Sequence, residues 1–144
     1  MSAFTIQLKV RFGDVDPAGI VYFPRIFDYV HEAFEEVWEV HVGARYYQLL
    51  LEQKIGFPLV SSHVDFRSPL RFGDRPLVRV TCFRLGRSSI GLRYQFTVDD
   101  RLCVDARMTV ACVRLETMES LPIPDAHRAR FEEIREDLQE GAEA

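Results

Sequence analysis

With 144 residues, 47% of them hydrophobic and 28% charged, the chain has the size and composition of one globular domain spanning residues 1–144. A formal net charge of -4 excludes a general basic field for nucleic acid. No apolar run approaches the length of a membrane span, and the alternating amino terminus lacks a signal-peptide core, so a cytoplasmic protein is expected.

Segment 4–12 alternates Phe4, Ile6, Leu8, Val10 and Phe12 against Thr5, Gln7, Lys9 and Arg11, which predicts a half-buried first strand. From Pro24 the period changes to that of a helix. Phe27, Val30, Phe34 and Val37 are expected on its apolar face, widened by Ile26, Ala33 and Trp38, with Gly43 ending it. Residues 45–54 read as a shorter second helix. Most of Leu59 to Met118 then reads as strand: 60–70, with Pro69 implying an edge or bend, then 77–85, 92–98 and 102–115, the last two joined by a tight turn at Asp99-Asp100. A charged helix is predicted over 126 to about 139, after a capping segment from Pro122 to Asp125. Cys82, Cys103 and Cys112 lie inside these strand patterns, are odd in number and show no C-x-x-C spacing. They are expected as small buried hydrophobes in a reducing compartment.

Four amphipathic strands in succession need a cover, and the one strongly apolar helix is 24–40. The expected architecture is α+β: a curved, five-stranded antiparallel sheet wrapped around that central helix, with a short second helix and a carboxy-terminal helix. Such a sheet leaves edge strands, and pairing them between protomers predicts a homodimer or a homotetramer built from dimers.

The connection between the first strand and the helix, Phe12-Gly13-Asp14-Val15-Asp16-Pro17-Ala18-Gly19-Ile20-Val21-Tyr22-Phe23-Pro24, carries two carboxylates. Pro24 suits a first helical turn, and the amides at such a helix start can polarise a carbonyl oxygen. On its own, Asp16 reads first as a turn carboxylate of an Asp-Pro sequence. This stretch closely resembles the active-site loop of the 4-hydroxybenzoyl-CoA thioesterase family of hotdog enzymes. Weaker likenesses follow in order at Gly56-Phe57-Pro58-Leu59-Val60-Ser61, Asp65-Phe66, Phe72-Gly73-Asp74 and Gly86-Arg87-Ser88-Ser89.

The resemblance implies a hotdog fold and an acyl-CoA thioesterase. It matches Asp16 to the catalytic carboxylate, acting as nucleophile on the thioester carbonyl or as general base toward water. It matches the backbone N–H of Phe23 to the donor that polarises the carbonyl. Tyr22, Phe27, His31 and Phe57 are expected around an apolar acyl group, aromatic or short to medium. Arg87, Ser88 and Ser89 are expected to contact CoA. CoA arrives as part of the substrate, and no cofactor is expected. Asp14 is assigned a structural role, bonding to loop amides. His31, His41, His63 and His127 have no metal-ligand spacing, so no metal site is expected.

A related group of short-chain acyl-CoA thioesterases carries histidine where this chain has Phe23 and glutamate where it has His31. Two further readings stay open: a hotdog module that binds acyl-CoA without cleaving it, and an enoyl-CoA hydratase or dehydratase. The latter needs an acid–histidine pair, whereas the residue after Tyr22 is Phe23.

Overall fold

The structure, a computed structural model, describes residues 3–139. Five strands form one sheet in the order β1 (Phe4–Gln7), β4 (Leu77–Leu85), β5 (Ser89–Val98), β6 (Arg101–Ala111) and β3 (Leu59–Phe66), each antiparallel to its neighbours. A small ladder pairs β2 (Ile55–Gly56) with β7 (Val113–Arg114). Helix α1 (Arg25–Glu36) covers the apolar face of the sheet, α2 (Tyr46–Gln48) follows it, and α3 (Asp125–Glu132) docks near the β4–β5 turn. This is the hotdog architecture expected from the order of the elements.

The period of two explains the sheet. Val80, Tyr94 and Ala106 stand opposite one another on adjacent strands, as do Val78, Phe96 and Val104, and all six are buried beneath α1. The intervening residues carry polar partners on the outer face, where Arg93 holds Asp105 through two bonds of 3.0 and 2.7 Å. Helix α1 buries Ile26, Tyr29, Val30, Ala33 and Phe34. Its apolar face is therefore rotated relative to the expected one, and Phe27 is left half-exposed at the rim. The helix runs on as a π-helical turn, Val37–Val42. Gly43 closes it with φ 89°, a left-handed conformation that suits glycine, and donates its N–H to the Trp38 carbonyl.

Several boundaries differ from expectation. Strand β1 stops at Gln7, and Leu8 and Val10 continue only as extended chain bonded to the carbonyls of Pro76 and Asp74. A 3₁₀ turn at Phe12–Asp14 breaks the alternation, so Phe12 is 76% exposed instead of joining the core. The second helix is one α-turn followed by a π-turn to Gln53. Strand β3 ends at Phe66, short of Pro69, and is an edge strand. Helix α3 ends at Glu132 because the chain then turns to lie along β4, where Cys82 exchanges backbone bonds with Ile134 and Glu136. Its amino-terminal residue Pro124 makes no side-chain cap. The three cysteines are buried and unpaired. No helix among the described residues is long and apolar enough to cross a membrane.

The two ends of the sheet carry different loops. The Asp99-Asp100 turn, Phe66 of β3 and the loop 8–24 lie at one end, through the pairings Phe66 to Val104 and Gln7 to Leu77. The turn 86–89 and Leu59 of β3 lie at the other, through Ser89 to Ala111 and Leu59 to Val110. Helix α1 spans them. Its start faces Phe66 through Phe23, and Trp38 beyond its end meets Phe57 and Phe131.

Candidate active site

Residues 14–22 fold into a small hairpin. Tyr22 donates to the Asp14 carbonyl at 2.9 Å, Asp16 to the Ile20 carbonyl at 2.9 Å, and Val15 bridges Val21. Its tip is a turn with Pro17 in the second position, closed by Gly19 N–H to the Asp16 carbonyl at 2.8 Å. Gly19 then leaves the turn at φ 83°, a conformation a side chain would strain. The Asp16 carboxylate joins the same turn: its Oδ1 accepts the Ala18 N–H at 2.8 Å. No bond or ion pair within the described chain engages Oδ2. The turn reading of Asp16 is thus correct as far as it goes, and it leaves one oxygen free in a half-buried side chain that lines an open cleft with Phe12 and Phe72.

Asp14 differs from Asp16 in every contact. Tyr29 donates its hydroxyl to Asp14 Oδ2 at 2.6 Å, Arg11 Nε reaches the same oxygen at 3.1 Å, and Arg25 Nε lies 3.7 Å from Oδ1. Contrary to expectation, no loop amide among the described residues bonds to its side chain; Asp14 is held by side chains, and most hairpin amides donate to backbone carbonyls instead. The Tyr29 hydrogen bond, more than the Arg11 contact, holds the Asp14 carboxyl below its usual range. Burial, helped by that bond, pushes the Tyr29 phenol up to about 12. The Asp14–Tyr29 bond pins the hairpin onto α1.

The helix start is also largely self-satisfied. Arg25, Ile26 and Phe27 donate to the carbonyls of Tyr22, Phe23 and Pro24 at 2.8, 3.1 and 3.2 Å, and Pro24 has no N–H. That leaves the Phe23 amide, which meets no acceptor among the described residues. Its aromatic ring is 61% exposed, between Tyr22 and Phe66.

The expected acyl pocket divides. Phe27, His31 and Phe57 line one recess of about 320 Å³, together with Tyr46, Tyr94 and Met108, between α1 and the start of β3. His31 sits at its rim and pairs with Glu35 at 2.8 Å. Tyr22 is not part of that recess; it is exposed against Phe23, because the hairpin turns its ring away from the sheet. Phe23 lines a second recess together with Phe66. Within one protomer, therefore, Asp16 and the aromatic recess do not meet.

Arg87, Ser88 and Ser89 lie at the opposite end of the sheet from Asp16. Their turn is rigidly held: Gly86 N–H donates to the Ser89 carbonyl at 2.8 Å, Arg128 reaches the Gly86 and Arg87 carbonyls, and Ser120 bonds to Ser88 Oγ at 2.8 Å. The Arg87 guanidinium contacts Ser88 Oγ at 3.2 Å and has no carboxylate partner among the described residues. No group of three or more metal-ligating side chains stands together among the described residues.

Local sequence signals missed two features. Tyr29 reads as another apolar helix position, and nothing in its spacing announces a bond to Asp14. Phe12 and Phe72 flank Asp16 in contact with each other, with ring centroids 5.6 Å apart, although Phe12 has the parity of a core residue. The 3₁₀ turn that exposes Phe12 is set by the hairpin and not by the strand pattern.

Known proteins share this arrangement of chain and fold. Over 141 residues the chain is 30% identical to a 1,4-dihydroxy-2-naphthoyl-CoA hydrolase of Nostoc punctiforme, covering 98% of this chain and 94% of that one. Among solved structures, a thioesterase superfamily protein from Jannaschia sp. superposes with a TM-score of 0.86 at 29% identity, covering 94% of both chains. A 1,4-dihydroxy-2-naphthoyl-CoA thioesterase from Synechocystis superposes with a TM-score of 0.82 at 26% identity, covering 90% and 96%. A gentisyl-coenzyme A thioesterase gives a TM-score of 0.79 at 28% identity, covering 89% and 99%. None of these names is the 4-hydroxybenzoyl-CoA thioesterase whose loop the stretch 12–24 resembles. The shared family is broader: residues 10–131 match the thioesterase-like superfamily, and the chain belongs to it.

Proposed function

We propose that this thioesterase hydrolyses aromatic acyl-CoA esters, with Asp16 as the catalytic carboxylate and the Phe23 N–H as the donor to the thioester oxygen. The observation that carries this reading is the pair of unspent groups on the hairpin and the helix start that follows it. Among the described residues, Asp16 keeps Oδ2 free while its other oxygen fixes the turn, and Phe23 has an unused N–H at the start of α1. As carbonyl carbon becomes tetrahedral, negative charge grows on its oxygen, where a fixed amide is worth about 10²–10³ in rate. Asp16 either attacks that carbon, giving a mixed anhydride that water then opens, or takes a proton from the attacking water. Both routes break the C–S bond, add one water and release the acid and the CoA thiol. The aromatic lining of the recess supports an aryl acyl group, as do relatives named for dihydroxynaphthoyl-CoA and gentisyl-coenzyme A.

A second copy of the chain completes the site in this reading. Strand β3 has a free edge and exposes Leu59, Val60 and Phe66. Antiparallel pairing of two β3 strands about a two-fold axis reverses one sheet against the other. It brings the Asp16 end of one protomer beside the end of its partner that carries the aromatic recess and the turn 86–89. Arg87, Ser88 and Ser89 would then serve the CoA phosphates of a substrate held across the interface.

The test is thiol release from a panel of aryl- and alkyl-CoA esters by wild type and Asp16→Asn. Asparagine keeps an oxygen for the Ala18 N–H, so the turn survives, while turnover falls by about 10²–10⁴-fold. Undiminished turnover in a folded variant removes Asp16 from the chemistry. Saturable binding of CoA esters with no thiol released would instead make the chain a binding module, and hydration of an enoyl-CoA would make it a hydratase.

A further inference from the structure

We infer that Tyr94 is a specificity residue: its hydroxyl, in the wall of the aromatic recess, hydrogen-bonds a ring oxygen of the substrate and selects hydroxylated aryl groups over bare ones. The inference rests on the thioesterase reading above and names the residue that discriminates within it. Tyr94 comes from the middle of β5, opposite Val80 and Ala106 on the face covered by α1, and is only 1% exposed. Among the described residues, the fully buried side-chain nitrogens and oxygens without a partner are Trp38 Nε1, His63 Nε2 and Thr81 Oγ1. The Tyr94 hydroxyl bonds to nothing in the described chain and is not one of these three. The little surface that Tyr94 retains therefore includes its oxygen, and the recess is where Tyr94 is accessible.

The other two polar side chains of the lining each already make one bond. Tyr46 Oη accepts the Phe57 N–H at 2.8 Å, and His31 at the rim pairs with Glu35. The rest of the lining is apolar, so Tyr94 is the polar side chain of the wall whose hydroxyl makes no hydrogen bond at all within the described chain. Burial raises the Tyr94 phenol pKa, so the group stays protonated and can donate. A cavity of roughly 150 Å³ takes up benzene; the recess of about 320 Å³ has room for two fused rings. A bare aryl ring would displace water from the phenol and leave its hydroxyl unpaired, which is costly in an apolar wall. A ring bearing an oxygen at the matching position restores the bond, and discrimination follows from that difference.

The experiment compares kcat/KM for 1-naphthoyl-CoA and a ring-hydroxylated naphthoyl-CoA, using wild type and Tyr94→Phe. Wild type should favour the hydroxylated ester by about tenfold or more. Tyr94→Phe should bring the ratio close to one, mainly through KM for the hydroxylated ester. A preference that survives in Tyr94→Phe, or a wild type without preference, overturns the assignment. Thermal stabilisation by the free naphthoic and hydroxynaphthoic acids supplies a readout that needs no turnover. If no CoA ester is cleaved, the thioesterase reading fails, while loss of selective stabilisation by the hydroxy acid in Tyr94→Phe still supports the role of Tyr94. Equal stabilisation by both acids, or by neither, overturns it.

Discussion

Asp14 and Asp16 stand two positions apart in one hairpin and do different work because of what surrounds them. Asp14 has a 12% exposed side chain, takes the Tyr29 hydroxyl and faces two arginines; Asp16 faces an open cleft with one oxygen unbound. Removing the Tyr29 hydroxyl (Tyr29→Phe) leaves a largely buried carboxylate short of a donor and should cost about 1.5–3 kcal/mol. Urea denaturation of the variant at neutral pH measures this. The pH dependence carries a definite sign. The Asp14 pKa is depressed below its ordinary 3.8, so its contribution is complete above that value and disappears as pH falls through the folded-state value. Melting temperature should therefore drop in the acid range below about pH 4, with a shallower drop in Tyr29→Phe than in wild type. A pH profile identical in the two proteins would separate Tyr29 from the titration of Asp14. Alternation and helix spacing reveal which residues face inward, but the choice of Tyr29 as partner to Asp14 needs the hairpin folded back on α1.

At the scale of elements, most of the sheet was legible because a period of two runs through much of β4, β5 and β6, with register shifts at Cys82/Arg84 and Phe96/Thr97. The β5–β6 turn is an example in which turn chemistry and geometry can be checked directly. Asp99 and Asp100 both adopt positive φ, 49° and 63°, as a two-residue hairpin turn requires. Glycine is the better residue at the second position, so Asp100→Gly should raise stability by about 0.5–1 kcal/mol, read as a higher denaturation midpoint at unchanged slope. A lower midpoint would mean that the Asp100 side chain supplies something its exposure does not suggest. Helix ends were less legible. The π-turns after α1 and α2 keep the apolar pattern going while changing its pitch, which is why the helices appear longer and more regular in the sequence than in the fold.

At the scale of the whole molecule, the two ends of the sheet hold different halves of the proposed machinery. An antiparallel β3–β3 pairing is the economical way to join them. It predicts that wild type sediments as a dimer or a larger assembly of the 16.7 kDa chain. Val60→Lys, which sets like charges on an exposed position of the pairing edge, should shift the protein toward monomer and lower thiol release in parallel. A wild-type monomer with full turnover would rule out a shared site, and would require Asp16 and the aromatic recess to work within one chain.

The sequence by itself determined the order of strand, helix and strands, the burial of alternating side chains and the turn that carries Asp16, since each of these follows from local periodicity and turn chemistry. Only the tertiary structure decided which polar groups remain unspent. Whether Asp16 Oδ2, the Phe23 amide and the Tyr94 hydroxyl have partners depends on residues far away in the chain, and hydrogen bonds are exclusive in a way that hydrophobic contacts are not. Tyr94 shows the difference: its position in an alternating strand announced burial, while its unengaged oxygen emerged only when α1 closed over the sheet and left a recess beside it.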